Sequence, residues 1–430
     1  MINQTGSLFR YSARSLLVHP LTLFVGVWSL VVFLYSLHLS ELLVYSTANV
    51  LDITLWIVVP YVISVLAVEA FYLLVPPRGL DTSNRQPINP DAIDRKLLHW
   101  FIFWIFCTVL EIIASGGLPI VWLFQGSSKT YFDFGIPSVH GLLNSMLLAI
   151  GIGQFGLFAL DGKKRHLWIP AWIFLWSILA ITRNMMIVLL LECTLVWGLV
   201  RGVRKRFLLQ TVAGVMALVL LIGYLGDFRN GADTFRRTAE PSVDYPDWLP
   251  SGVLWVYIYL ATPVANLVNT ATNVTPKYDL LFPNTGALLF PTVLRKFLYG
   301  DSASTTAQSG ELVVEALNAS TAFVGPYQDF GHLGVVAFSI LFGLIAAYSW
   351  KQRTFGGALI YAVLGQCVIL SVFFNHLFDL PIISQTVWLL FFFRGAERRK
   401  IRYAARDAAR IEGDSHLGHR NLTIPPGERV

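Results

Sequence analysis

Ten long apolar stretches dominate this 430-residue sequence, which is 55% hydrophobic and only 13% charged. A helix needs about 20 apolar residues to cross the hydrocarbon core of a bilayer, and somewhat fewer where the bilayer thins. Stretches near that length occupy residues 20–37, 53–75, 97–114, 139–160, 167–181, 184–200, 207–226, 331–350, 355–374 and 382–393. We therefore predict an all-α polytopic membrane protein with about ten transmembrane helices.

The basic residues indicate the orientation of these helices. Cytoplasmic connections of membrane proteins are enriched in Lys and Arg, and most of the 32 basic residues fall in alternate connections. These basic segments are 10–14, 78–96, 163–165, 201–206, 351–353 and the tail from 394 onward. Both termini are therefore predicted to be cytoplasmic (N-in/C-in).

This orientation divides the chain into four parts. Residues 1–226 carry the first seven transmembrane helices, 227–330 form a large periplasmic loop, 331–393 carry the last three helices, and 394–430 form a basic cytoplasmic tail. Within the loop, residues 253–268 are apolar, but a crossing there would move the later basic clusters to the wrong side. We interpret this segment as an amphipathic or re-entrant helix on the outer surface.

Several functional classes lack support in the sequence. The positive charge lies in short clusters beside apolar stretches, which does not predict a nucleic-acid surface. The pattern Gly151-Ile-Gly-Gln-Phe-Gly156 resembles a dinucleotide fingerprint but lies inside an apolar stretch, so we predict close helix packing there. No metal-ligand spacing and no Asp-x-Asp pair occur, so we expect no metal and no cofactor.

Arg183 is the first candidate site residue. It lies between two short apolar stretches, at the predicted outer apex of a helical hairpin. A guanidinium group can hold a phosphate or diphosphate through two parallel hydrogen bonds. The structural alternatives are contact with lipid phosphate or an ion pair with Glu192 or Glu111.

Asp329 and His332 form the second candidate site. They lie three residues apart where the eighth apolar stretch begins, so a helical turn would place both on one face, beside Tyr327. Either side chain could accept a proton from a hydroxyl group as a general base. The structural alternative is that Asp329 caps the helix that follows.

Other outer segments carry candidates for substrate binding. Tyr131, Asp133 and His140 combine aromatic and polar groups that suit a sugar surface, although an interfacial aromatic belt has a similar composition. Asn375 and His376 form a further outer cluster with Asp379, for which a simple loop is the alternative. Positive charge in the large loop adds the candidates Arg229, Arg236, Arg237 and Arg295.

Four ordered segments between residues 100 and 350 resemble Wzy-type oligosaccharide repeat-unit polymerases, the O-antigen polymerase family. The first is Glu111-Ile-Ile-Ala-Ser-Gly-Gly-Leu-Pro119, and the second is the segment 131–141, which contains Phe-Gly-Ile-Pro and His-Gly. The third is Thr182-Arg183, and the fourth is Tyr327-Gln-Asp-Phe-Gly331 followed by Gly334. The large loop before the last segment fits the same pattern.

The resemblance implies a multi-pass enzyme of the bacterial inner membrane with its active site facing the periplasm. Such an enzyme is a metal-independent glycosyltransferase that transfers a growing glycan from undecaprenyl diphosphate to another lipid-linked repeat unit, in O-antigen (lipopolysaccharide), capsule or exopolysaccharide synthesis. By position, Arg183 would hold the donor diphosphate, Asp329 matches the Asp of the Asp-Phe-Gly segment, and Tyr131 and His140 match the outer connection. The partners would be lipid-linked glycans, membrane lipids, a chain-length regulator and a flippase.

Two alternatives stay open from the sequence. An O-antigen ligase would transfer the glycan to lipid A core, and His376 near the last helices fits that function. A polysaccharide or lipid transporter would line a cavity at the membrane midplane with charge, and Glu192 is the one acidic residue near the middle of a predicted helix.

Overall fold

The chain folds almost entirely into helices. The structure is a computed structural model that describes residues 13–43, 45–75, 89–203, 209, 213, 236–246, 248–300, 309–352 and 354–393. No strand occurs within these ranges; the β-type pairing found there is one isolated bridge between Ser40 and Pro241. The predicted all-α class is therefore confirmed for the described residues.

The α-helices that build the fold are named in chain order. They are α1 (Pro20–Tyr35), α2 (Thr47–Leu74), α3 (Pro90–Ser115), α4 (Pro119–Phe124), α5 (Val139–Asp161), α6 (Trp168–Leu179), α7 (Arg183–Arg201), α8 (Ser251–Asn273), α9 (Thr292–Tyr299), α10 (Val324–Trp350), α11 (Phe355–Leu370) and α12 (Leu380–Phe393). Short 3-10 turns occupy Ala13–Val18, Tyr131–Asp133, Lys164–Leu167 and Ala287–Leu289.

Six described helices are long and apolar enough to cross a membrane, namely α2, α3 with its continuation α4, α5, α7, α8 and α10. The apolar helices α1, α11 and α12 are shorter. Each apolar stretch of the sequence that falls in a described range coincides with a helix. The predicted helix 207–226, Arg229 and the tail 394–430 lie outside the described residues, apart from positions 209 and 213.

One end of the helix bundle collects basic residues, and we call it the basic end. There Lys351 pairs with Glu69, and Arg165 pairs with Asp91. Lys96 donates to the backbone carbonyl groups of Phe391 and Phe392. These contacts join the end of α2, the start of α3 and the ends of α10 and α12, as alternating helix directions require.

The opposite end of the bundle is formed by the other helix termini and their connections. The described parts of these connections are residues 36–43, 45–46, 116–138, 180–182, 274–300, 309–323 and 371–379. Residues 239–241 also lie there, because the Ser40 hydroxyl donates to the Ala239 carbonyl group. All the candidate site residues in the described ranges lie in or beside these segments.

Helix α8, predicted as an amphipathic or re-entrant helix, is packed into the protein. Its middle is buried, including the run from Ala261 to Val268, so it does not lie on an exposed surface, and the re-entrant alternative stays a prediction. The hydroxyl groups of Tyr257 and Thr272 bond to Leu39 and Asn49, so α8 runs alongside the connection between α1 and α2. The positive-inside argument counts crossings and carries no information on how deeply a helix is packed.

The glycine pattern of α5 packs helices closely, as predicted. A methyl group on Gly151 would lie 2.2 Å from Ile173 of α6, and one on Gly156 would lie 2.8 Å from Phe355 of α11. The absence of side chains at these positions lets three helices approach one another.

Helix α10 contains a kink near its start. Phe330 and Gly331 have non-helical backbone angles, and Gly331 has a positive φ of 61° that favours glycine. The segment 324–329 is therefore a separate helical turn at the opposite end, and the long helix begins after it.

Candidate functional site

The structure brings several candidate segments together at the opposite end of the bundle. The Asn375 amide approaches the Thr285 carbonyl group at 3.4 Å, which joins the 371–379 connection to the large loop. Helix α5 begins against α12, because a methyl group on Gly141 would contact Pro381. Segments far apart in the sequence thus form one continuous surface.

A pocket of about 190 Å³ opens in this surface. The described residues that line it are uncharged: the amides Asn284, Asn318 and Asn375, the hydroxyl residues Ser309, Ser320 and Thr321, the aromatic rings of Phe373 and Phe374, and Gly325. The volume is below the roughly 300–1,000 Å³ of pockets that hold drug-sized ligands. It suits one small polar ring rather than a chain.

Asp329 is completely buried and bonds to the pocket residue Asn284. One carboxylate oxygen accepts from the backbone N–H and side-chain amide of Asn284, at 3.2 and 2.8 Å. The other accepts from the backbone N–H and hydroxyl of Thr285, at 2.8 and 2.6 Å. A carboxylate has about four acceptor sites, so these four bonds leave none for a substrate.

This geometry corrects two expectations for Asp329. Its partners are residues of the large loop, so it neither caps the long helix nor is free to act as a base. It also does not share a face with His332, because the kink at Phe330 and Gly331 separates them. The side chain of His332 is 45% exposed and lies 3.5 Å from Asp52 of α2.

Arg183 is the first residue of α7 and is exposed. It has no hydrogen bond or ion pair to another described residue. The structural alternatives of pairing with acidic residues are wrong, because Glu192 binds Gln385 and Glu111 binds His140. The guanidinium group is therefore open to an anion.

His140 belongs to a chain of polar groups that fixes the start of α5. Its Nδ1 lies 3.1 Å from the buried Glu111 carboxylate, and its Nε2 lies 2.9 Å from the amide of Asn144. Asn144 in turn accepts from the indole N–H of Trp176. Since both ring nitrogens are engaged, His140 has a positioning role in this arrangement.

Tyr131 and Asp133 lie in the connection that leads to α5. Tyr131 is 44% exposed and packs on Phe132. Asp133 accepts from the backbone N–H and hydroxyl of Thr130, and these bonds hold the pKa of its carboxyl group below the usual range. Asp133 thus closes a local turn, while the Tyr131 ring remains accessible.

Asp379 lies in the same connection as the pocket residue Asn375, and the positive charge of Arg295 on α9 acts on its carboxyl group. Burial raises the pKa of Asp379 to about 7, and the positive charge of Arg295 acts in the opposite direction. His376, in the same connection, is buried against Gln366, and burial lowers its pKa to about 4. An acid that titrates near neutral pH can exchange a proton with a substrate.

The remaining candidates are Tyr327, Arg236 and Arg237. Tyr327 is buried and donates its hydroxyl to the Ala271 carbonyl group, which ties α10 to α8. Arg236 lies over the Tyr245 ring at 5.6 Å, beside the connection between α1 and α2, and the exposed Arg237 follows it. Neither arginine is among the residues that line the pocket.

Of the residues predicted from sequence for substrate binding, Asn375 lines the pocket. Sequence reasoning missed Asn284, Asn318, Phe373 and Phe374 as site residues. Asn and Phe are common near helix ends, so no local signal separates these from others. The one usable signal was their position in segments predicted to share the outer face.

Comparisons with protein-family models, with curated proteins and with solved structures find no match to this chain.

Proposed function

We propose that the chain is a membrane glycosyltransferase that polymerises undecaprenyl-diphosphate-linked oligosaccharide repeat units at the periplasmic face of the bacterial inner membrane. The proposal includes about ten transmembrane helices, both termini in the cytoplasm, and the opposite end of the bundle facing the periplasm. The product would be an O-antigen, capsule or exopolysaccharide.

The pocket is the observation that carries this proposal. Amide and hydroxyl groups can bond the hydroxyl groups of a sugar, and a Phe ring can pack on its apolar face. Asn318 makes no hydrogen bond to another described residue, and Phe374 is 45% exposed, so both can contact a ligand. The pocket would hold the non-reducing end of the acceptor glycan.

Arginine residues at the same end would hold the donor. Arg183 has no partner among the described residues, and Arg295 is half-buried on α9. In the reaction, an acceptor hydroxyl oxygen forms a bond to the anomeric carbon of the donor, and the bond from that carbon to the diphosphate oxygen breaks. The diphosphate leaves with the electron pair, and guanidinium groups stabilise its charge without a metal.

The acceptor hydroxyl must also lose a proton. We assign this proton to Asp379, which does not line the pocket itself but lies in the same connection as the pocket residue Asn375 and has a pKa that burial raises to about 7. Asp329 is fully occupied by the large loop. His332 is the second choice, because its ring already contacts Asp52 and Trp56 of α2.

The alternative functions fit less well. A ligase that used His376 would need an accessible imidazole, but His376 is 6% exposed and bonded to Gln366. A transporter would need a cavity near the membrane midplane, whereas the pocket described here lies at one end of the bundle.

The test of the proposal is Arg183→Ala in cells that depend on this chain for polymer synthesis. We expect loss of long glycan chains and accumulation of lipid carrying a single repeat unit, because the leaving diphosphate loses charge-assisted bonds worth about 1.5–3 kcal/mol each. Glycan length is read on gels, and protein abundance is read in the membrane fraction.

The matched control is Arg201→Ala, at the other end of the same helix. Arg201 donates to the Ala159 carbonyl group at the basic end, so its loss should leave chain length unchanged. Arg183→Lys should recover part of the activity, since Lys keeps the charge but loses the paired geometry. Normal chain lengths in Arg183→Ala would remove Arg183 from the mechanism.

A further inference from the structure

Glu192 is buried in the core of the bundle, away from the proposed site. It lies at the middle of α7, nine residues from Arg183 and nine from Arg201, so each arginine starts about 13–14 Å away along the helix axis. Its side chain has no exposed surface. Such a carboxyl group needs a partner inside the protein.

The partner of Glu192 is an amide. Gln385 of α12 is equally buried and donates from its Nε2 to the Glu192 Oε2 at 2.8 Å. The other oxygen of each side chain, Oε1 of Glu192 and Oε1 of Gln385, is buried and finds no hydrogen-bond partner in the part of the chain that the structure describes. Two unpartnered acceptors therefore lie on a bonded pair of side chains.

The described helices that neighbour Glu192 supply no cation to it. Residues 141–160 of α5 contain no titratable side chain, and neither do α6 and α12. Helix α11 offers Tyr361, which donates to the Val18 carbonyl group, and the thiol of Cys367, and α7 itself adds Cys193. His376 and Asp379 lie beyond the end of α11. The turn Ala13–Val18 meets α7 near Gly198, about 9 Å along the axis from Glu192.

An ionised carboxylate in this environment is strongly unfavourable. Its desolvation costs several kcal/mol, and no opposite charge among the described residues compensates for it. A proton on Glu192 removes the charge and supplies a donor beside the two unpartnered oxygens, which can only accept. We infer that Glu192 is a proton-binding site, held as a neutral carboxylic acid that pairs with the Gln385 amide and joins α7 to α12.

Infrared difference spectroscopy of the purified full chain tests this inference. The wild-type spectrum minus that of Glu192→Gln should contain the C=O band of a protonated carboxylic acid at neutral pH, and this band should shift in D2O. Glu192→Gln is suitable because it keeps the shape and lets an amide pair replace the acid pair. Carboxylate bands alone in the difference spectrum would overturn the proposal.

Two further variants test whether the acid band comes from Glu192 and from its pairing with Gln385. Glu111→Gln is the matched control, because Glu111 is also buried but has a partner at each oxygen, the Ile136 N–H and His140 Nδ1, so this change should leave the acid band of Glu192 in place. Gln385→Leu should move the acid band of Glu192 to higher frequency, since the amide bond is lost. An unchanged band position would contradict the pairing, and a carboxylate band that depends on sodium would identify a metal ion in place of the proton.

Discussion

The two ends of the helix bundle use charge in different ways. At the basic end, acidic groups meet basic ones: Asp91 contacts Arg165, Asp161 contacts Lys163, and Glu69 contacts Lys351. At the opposite end, the buried carboxylate of Asp329 is held by neutral donors, and Arg183 has no partner among the described residues. Charges at the first end compensate one another, whereas at the second the guanidinium group of Arg183 remains available.

This difference indicates where an anion such as a diphosphate can bind. A guanidinium group that already holds a carboxylate must give up that bond before it binds a diphosphate, and an unpaired one does not. By taking its hydrogen bonds from amide and hydroxyl groups, Asp329 can be buried at the opposite end without using an arginine. The comparison predicts graded effects for carboxyl groups at the two ends.

Replacing Asp329 by Ala should have the largest effect. The change leaves two backbone N–H groups, an amide and a hydroxyl without their acceptor in a buried place, at a cost of about 3 kcal/mol or more. We expect a much lower melting temperature in detergent and less protein in the membrane. Full abundance with lost activity would instead support a catalytic role.

A negative charge on the acceptor sugar should have the next largest effect, by weakening its binding to the pocket. The described pocket residues include no cation, so a carboxylate inside the pocket would be desolvated without compensation. In polymerisation assays, a methyl glycoside of a neutral sugar should inhibit at about a tenfold lower concentration than the matching uronic acid. Phe374→Ala should weaken the neutral inhibitor by about three- to tenfold through lost ring packing. Equal inhibition by both sugars would contradict an uncharged subsite.

Asp379 should make stability depend on pH. Its pKa is about 7 in the folded protein and roughly 3.9 in an unfolded chain, so its contribution is fully present below about pH 4 and is lost as pH rises through 7. The lowered pKa of His376 acts in the reverse direction between about pH 6.5 and 4. Comparison of Asp379→Asn with wild type isolates the first effect.

The melting temperature of Asp379→Asn relative to wild type should therefore increase from pH 5 to pH 8. The exposed Asp244→Asn serves as the control and should show no such trend. A constant difference across this range would mean that Asp379 does not titrate there.

Asp91→Ala, at the basic end, should have the smallest effect. Asp91 is 63% exposed and its contacts with Arg165 and Lys163 are screened by solvent. We expect no measurable change in melting temperature. A loss as large as that of Asp329→Ala would remove the distinction between the two ends.

The sequence predicts the helices better than the site. Apolar length is a local property, so the stretches in described ranges could be located, and the close packing at Gly151 and Gly156 followed from small residues in an apolar stretch. The bonds of Asp329 could not be predicted, because Asn284 and Thr285 lie more than 40 residues away in the sequence. The kink at Gly331 also depends on tertiary contacts, since the same letters fit a continuous helix.

The burial of α8 was missed for a similar reason. Its apolar length and its Asn residues fit a surface helix as well as a packed one. The choice depends on residues 309–320, which cover it: the Asn266 amide donates to the carbonyl groups of Leu317 and Ala319. Such long-range contacts carry no signal in a single sequence.

Half of the hydrogen bonds that Asp329 accepts come from the backbone of Asn284 and Thr285 rather than from their side chains. Replacement of either loop residue by Ala removes its side-chain bond but leaves both backbone bonds in place, so each substitution should cost less stability than Asp329→Ala. A mutational survey restricted to the loop would therefore underestimate its role.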